Sequence, residues 1–410
     1  MQTVAINWHI YLLTRSPLAL GFVGLTRVVP IVVFSLWAGV IADRYDRRRL
    51  MIISQLSMTA VALALGALTV AHRETLLLIY ALNFLSAAAG AFDNPARNAL
   101  IPRLVPIAQL PGALSLNFSV FQTAMITGPA FTGLILAGHT AALPAPGPGH
   151  EAALPSLAGL AVIYFLNAAS FLAVIYVLAT MRTSGAPEKG AGDAHPLTAL
   201  KEGLRFVFTT PLMVWTMGLD FLATFFSGSM SLLPIFADQV LHAGAKGYGV
   251  LASAPAVGAL AGSLFLSLRP LPSRQGPLFL TSVAAYGAAT VAFGLSRRFW
   301  LTLLALAAVG LADAISTVIR QTLRQLITPD RLRGRMTSVN AIFFTGGPQL
   351  GELEAGLVAS FFASAAVGVT VSVVSGGLAT VLITAVAAAV APSVRRYDAR
   401  EHLPRQWGQP

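Results

Sequence analysis

Cysteine is absent from this 410-residue chain. That excludes a disulfide scaffold, a thiolate metal centre and a cysteine nucleophile. Charge is scarce too: only 10% of residues are Asp, Glu, Lys or Arg, against roughly a quarter in a soluble domain. There is no H-E-x-x-H or other close histidine pair for a metal, and no G-x-x-x-x-G-K-[ST] loop for a nucleotide phosphate. No metal or cofactor is expected, and an enzyme is the weakest reading. What the chain has is apolar length: 56% of its residues are hydrophobic, with mean hydropathy +0.73. Too little polar surface remains to enclose a water-soluble particle of this size. Uninterrupted apolar runs of about 20 residues indicate helices that cross a bilayer, where every backbone group must be satisfied internally.

The runs read as twelve spans, near 1–13, 17–42, 50–71, 75–96, 107–137, 157–181, 212–237, 248–268, 277–295, 299–319, 337–363 and 366–391. The first is short, about 20 Å of helix against a hydrocarbon core of about 30 Å, so it is expected to be an incomplete span. The net charge of +11 would suggest nucleic acid in a soluble protein. Here 21 of the 27 basic residues fall on alternate connections and the tail, so they follow topology and nucleic acid is not expected as a partner. The basic side is expected to be cytoplasmic, with the C-terminus there, in a plasma membrane.

A polar connection follows the sixth span. Its start, RTSGAPEKGAGDAHP, has linker composition. Its end, LTALKEGLRFVF at 197–208, spaces apolar residues as an amphipathic helix suited to the inner leaflet. The reading is a first half at 1–181, a linker at 182–211, a second half at 212–391 and a tail at 392–410. The halves are related. An offset of 223 aligns Arg97 with Arg320, Pro106 with Pro329, Asn117 with Asn340, Phe121 with Phe344, Gly128 with Gly351 and Gly133 with Gly356, without a gap. Two six-helix halves related by duplication match the plan of transporters that bind substrate between the halves.

The connection after span 2 reads GVIADRYDRRRL at 39–50. It resembles the loop 2–3 signature of the major facilitator superfamily, with Gly39, Asp43, Arg44, Arg47 and Arg48 at its key places. Asp46 departs from it, standing where that family has Gly. The resemblance implies a gate latch on the cytoplasmic side. Arg97 and Arg320, at equivalent span ends, and Arg333 and Arg335 are grouped with it. Gly128, Pro129 and Gly133 on span 5 resemble part of the G-P motif of exporting members, with Ala124 replacing its upstream glycine. Proline removes a helical hydrogen bond and glycine allows close packing at the bend. Gly351 and Gly356 repeat the glycines on span 11. With NPARNALIPRLVP at 94–106, LDFLATFF at 219–226, TPDRLRGRMTSVN at 328–340 and GELEAG at 351–356, the chain resembles the enterobactin-exporter-like, or transmembrane secretion effector, branch. The resemblance implies an all-α major facilitator fold and a monomer that exports a small drug-like or siderophore-like molecule in exchange for protons. A facilitator or an importer is the alternative within transport. Asp43→Asn is expected to slow transport without lowering expression, and a wild-type rate in cells would remove the latch role.

Ionisable groups inside spans are costly, so each is a functional candidate. They are Asp220 on span 7, Asp313 on span 10, Glu352 and Glu354 on span 11, and Arg27 on span 2. Their expected roles are proton coupling or the substrate cavity. The bland reading for each acid is an ion pair, with Arg27 or Arg320 as partner. Glu352 and Glu354 point about 200° apart on a helix, so both cannot face one cavity. Trp215, Phe221, Phe225 and Phe226, with Phe343 and Phe344, give spans 7 and 11 aromatic surface that suits amphipathic ligands.

Overall fold

The computed structural model describes residues 1–106, 109–140, 157–181, 196–268, 272–329 and 332–398. Most of the connection between the fifth and sixth spans, the first part of the linker and the end of the tail lie outside the described residues. The side chains of Gly39, Asp43, Arg44, Arg333 and Arg335 do so too.

The first half comprises α1 (Gln2–Thr14), α2 (Pro17–Arg44), α3 (Arg47–Val70), α4 (Leu76–Leu104), α5 (Leu110–Thr140) and α6 (Ala158–Thr180). The linker holds α7 (Pro196–Thr209). The second half begins with α8 (Pro211–Phe226) and continues with α9 (Gly244–Leu268), α10 (Gln275–Leu295), α11 (Phe299–Ile327), α12 (Arg333–Ser360) and α13 (Ala365–Val390). Among the described residues ten helical segments are long and apolar enough to cross a membrane. The two further helices in span positions are α1, with 13 residues, and α12, whose polar residues dilute its apolar run.

Local chemistry sets the ends. Ser16 caps α2, accepting from the Ala19 amide, with Pro17 at the first helical position. Asp46 caps α3 by accepting from the Arg49 amide at 3.0 Å. The departure from the family's glycine thus supplies a helix cap. Thr75 caps α4 through the Leu78 amide. Helices α4 and α11 run about two turns past the apolar stretches expected at 75–96 and 299–319, because their last turns are amphipathic and stay helical beyond the hydrocarbon.

Two expectations are revised. Span 7 is not one helix. α8 ends at Phe226, and after residues 227–229 the chain continues through a 3₁₀ turn, Met230–Leu232, to a π turn, Phe236–Val240. At the break Gly228 lies against α12: a Cβ there would stand 3.0 Å from both Gly351 Cα and the Pro348 carbonyl oxygen. The amphipathic helix α7 forms, but protein covers the described apolar residues of its second half. Val207 is buried against Met213, Leu323, Met336 and Val339, with Leu204 and Phe206 packed beside it. Phe208, near the end of α7, is exposed.

The halves meet at one end. One buried cluster joins Trp8, Ile10 and Tyr11 of α1 to Leu233, Phe236, Tyr248 and Leu251 of the second half. Two seams flank it, α2 on α12 and α5 on α9. At the other end α5 is exposed over its first half, at Leu116, Phe118 and Phe121, and α9 over its last, at Leu260, Leu264 and Leu268.

Candidate functional site

Each seam rests on glycine where the backbones touch. A Cβ on Gly133 would stand 2.8 Å from Gly249 Cα, and one on Gly356 would stand 2.8 Å from Gly21 Cα. Small residues are what allow such approach in a membrane. Gly133 and Gly356 are the residues the 223-residue offset pairs, so equivalent positions make equivalent contacts on opposite seams. The next pair behaves alike. Gly128 lies against Met1 of the first span, and Gly351 lies against Thr224 and Phe225 of the seventh.

Arg27 on α2 and Glu352 on α12 lie near one another at the first seam, but among the described residues they form no ion pair or hydrogen bond with each other. Each lies in the other's electrostatic field, and Tyr248 of α9 lies in the field of both. Glu352 is 8% exposed. Tyr248 donates to the Val4 carbonyl at 3.1 Å and meets the Asn7 side chain. Four buried polar atoms from these helices have no hydrogen-bond partner among the described residues: Asn7 Oδ1, Arg27 Nη2, Gln349 Oε1 and Glu352 Oε2. Three accept and one donates, so the group is short of protons to share. Packing is too tight for substrate, since a Cβ on Gly24, one turn before Arg27, would stand 2.1 Å from the Gln349 backbone carbonyl oxygen. Glu354 is half-buried and makes no hydrogen bond or ion pair among the described residues.

A second centre lies within the second half. Arg320 on α11 is 5% exposed and forms an ion pair with Asp220 of α8. Its other contacts are Asp313 at 3.6 Å, Thr317 Oγ1 at 2.8 Å and the Ser316 carbonyl at 3.3 Å. Beside it is a narrow crevice, too tight for a water molecule, lined by Thr216, Phe279 and Tyr397 among others. Two carboxylates share one guanidinium, and Asp313 keeps 45% of its side chain exposed. The equivalent Arg97 pairs with Asp93, one turn back on its own helix, and Gln55 Nε2 donates to that same Asp93 at 3.0 Å. The repeat places Ser316 at the position of Asp93, so in the second half the acid comes from another helix. Arg48 donates to the Ala179 carbonyl at 2.5 Å and ties α3 to α6; Arg47 is buried.

Phe221, Phe225 and Phe343 form a connected aromatic set, with ring centroids 6.1 Å and 5.9 Å apart. Trp215 packs into the core of its own half. The sequence reading passed over Asn7, Gln349, Tyr248, Asp93 and Asp238. The two acids carried a usable signal, because each interrupts an apolar run.

Among the described residues, twelve helices in two halves that close on one another at one end, with ion pairs inside the halves, define a transporter of the major facilitator fold. The chain belongs to the transmembrane secretion effector family, whose model matches residues 1–410. It is 27% identical to the multidrug efflux pump Tap of Mycolicibacterium fortuitum, over 87% of this chain and 84% of that one. It is 27% identical to the enterobactin exporter EntS of Shigella boydii, over 82% and 76%. Its fold matches a bacterial homologue of the lysosomal transporter Spinster with a TM-score of 0.73, 15% identity and coverage of 98% and 96%. The protein is a multi-pass membrane transporter of small molecules, a class distinct from enzymes.

Proposed function

We propose that the protein is a secondary active exporter that moves a small molecule outward in exchange for protons, by alternating access. The observation that supports this reading is an arginine, Arg27 on α2, close to the buried acid Glu352 on α12 across the seam, each in the other's electrostatic field. An ionised Glu352 is attracted to Arg27 across the seam, and a protonated one is not. Parting the seam parts the pair, so proton occupancy and the closed state are linked. The empty, ionised carrier is held shut, while the proton-loaded carrier is free to exchange states. That is the rule an antiporter needs to avoid leaking. Similarity to a multidrug pump and an enterobactin exporter supports export and suggests the test panel.

Asp220 and Asp313 remain candidates beside Glu352, but the ion pair with Arg320 gives Asp220 a structural occupation. Asp43 with Arg44, Arg47, Arg48, Arg333 and Arg335 is proposed as the latch at the opposite, open end. The positive-inside distribution supports a cytoplasmic linker and C-terminus, with the closed end outside. The protein is proposed to act as a monomer in the inner membrane.

Proteoliposomes with an imposed proton gradient and no ATP test the function, using enterobactin and a set of drugs. Accumulation that collapses with the gradient is expected. Movement that ignores the gradient would make the protein a facilitator. Orientation has its own test: Thr140→Cys, at the end of α5, should react with an impermeant maleimide on intact cells. Reaction only after lysis reverses the topology.

A further inference from the structure

The closed end carries a second set of polar contacts between the halves, which the coupling scheme does not use. The Tyr11 hydroxyl, near the end of α1, donates to the Asp238 carboxylate. Gln239 Nε2 donates to the same hydroxyl at 3.4 Å. Asp238 and Gln239 both lie in the π turn Phe236–Val240. A π turn takes an extra residue into the helical ladder and re-aims the side chains around it, and here it presents two consecutive polar residues to one hydroxyl. One turn back along α1, Trp8 stacks on Tyr248 with centroids 5.3 Å apart and planes at 18°. Tyr11 itself is 1% exposed, whereas Asp238 is half-buried. The bond therefore runs from a dry interior to the rim of the closed end.

The contrast with the flanking seams is chemical. At their closest points, α2–α12 and α5–α9 meet backbone to backbone at glycines. Such a contact is short-ranged and has no directional bond to break. Tyr11 with Asp238 is a hydrogen bond to a charged acceptor, the strong kind, and it joins the first helix of one half to the last turn of the first span of the other.

We propose that Tyr11, Asp238 and Gln239 form a lock that keeps the closed end shut, and that its release is a step of every cycle distinct from protonation of the coupling acid. The proposal rests on the alternating-access reading, and on the proposed orientation only for the side from which the lock is reached. The residues act on the equilibrium between closed and open states, so they are gating residues and touch no substrate.

The absence of native cysteine provides the assay. Ala245→Cys puts a single thiol on the α5–α9 seam, where Ala245 is 8% exposed and its carbonyl oxygen lies against Gly133. Labelling by an impermeant maleimide is followed in intact cells and in inside-out vesicles. Tyr11→Phe and Asp238→Ala should each accelerate labelling in intact cells by roughly tenfold, the effect of losing one hydrogen bond to a charged group. The double variant should be no faster than the faster single one, because both remove the same bond. Tyr11→Phe keeps the ring and its packing, so it serves if Asp238→Ala fails to fold. Gradient-driven transport should stay proton-dependent in Tyr11→Phe. Unchanged labelling in both preparations overturns the lock. Acceleration only in inside-out vesicles keeps the lock and overturns the orientation. Loss of proton dependence in Tyr11→Phe overturns its separation from coupling.

Discussion

In proteoliposomes, Glu352→Gln should lose gradient-driven transport while exchange of substrate down its own gradient continues. The variant keeps the shape of the side chain but cannot be charged, so the seam no longer senses the proton. The loss should fall in the range of about 5- to 150-fold that a coupling of about 1–3 kcal/mol between two sites produces. Arg27→Ala should behave differently. It leaves an ionisable carboxyl 8% exposed without the cation nearest to it, so its ionised form loses stabilisation. A drop in detergent melting temperature is expected, with closure impaired. Arg27→Gln combined with Glu352→Gln should recover the melting temperature but not the coupling. If Glu352→Gln alone accumulates substrate at the wild-type rate, coupling passes to Glu354 or Asp220, and the seam pair is only structural.

The second large effect concerns Arg320. It lies between Asp220 and Asp313 with almost no water contact. Arg320→Ala should therefore strand Asp220, 8% exposed, and destabilise the second half by about 3–5 kcal/mol. Little folded protein should survive extraction. Asp220→Asn should be milder, because the guanidinium keeps Asp313, Thr317 and the Ser316 carbonyl as partners. Asp220→Asn with Arg320→Gln should be more stable than Arg320→Ala. The same variants separate the two roles proposed for Asp220. Retained gradient-driven transport in Asp220→Asn makes it a structural acid, while selective loss of the gradient dependence at unchanged stability makes it a second coupling site.

Much of the architecture was legible because the bilayer leaves few alternatives. Apolar runs marked the helices, and the 223-residue offset foreshadowed contacts that the structure repeats at Gly133 and Gly356 and at Gly128 and Gly351. The break in span 7 was harder. Residues 227–229 read Ser-Gly-Ser, but the run around them is apolar enough to pass for one helix, and the break belongs to Gly228 packing on α12. The candidate acids were legible singly but not as pairs. Asp220 and Arg320 are 100 positions apart in the chain and meet only because α8 packs beside α11. The repeat equated Arg97 with Arg320 as latches. It could not show that one takes its acid from its own helix and the other from a neighbour, since that depends on Ser316 standing in the place of Asp93. The amphipathic period of α7 was plain, yet period alone does not distinguish a lipid surface from a protein surface as the cover for an apolar face.

The glycine seams bear on how such a molecule wears through many cycles. Where interlocked side chains must disengage, each opening passes through misfit, as gear teeth do when forced past one another. At Gly21 with Gly356 and at Gly133 with Gly249, main chain lies on main chain, and nothing protrudes to catch. These seams act as plain bearings: they locate one half on the other without resisting rotation. Resistance then resides in a few polar contacts that can be counted, and turnover should respond to single hydrogen bonds far more than to the area of the interface. A methyl group at Gly133 or Gly249 would be grit in that bearing. It should hold the closed end ajar while leaving each half intact.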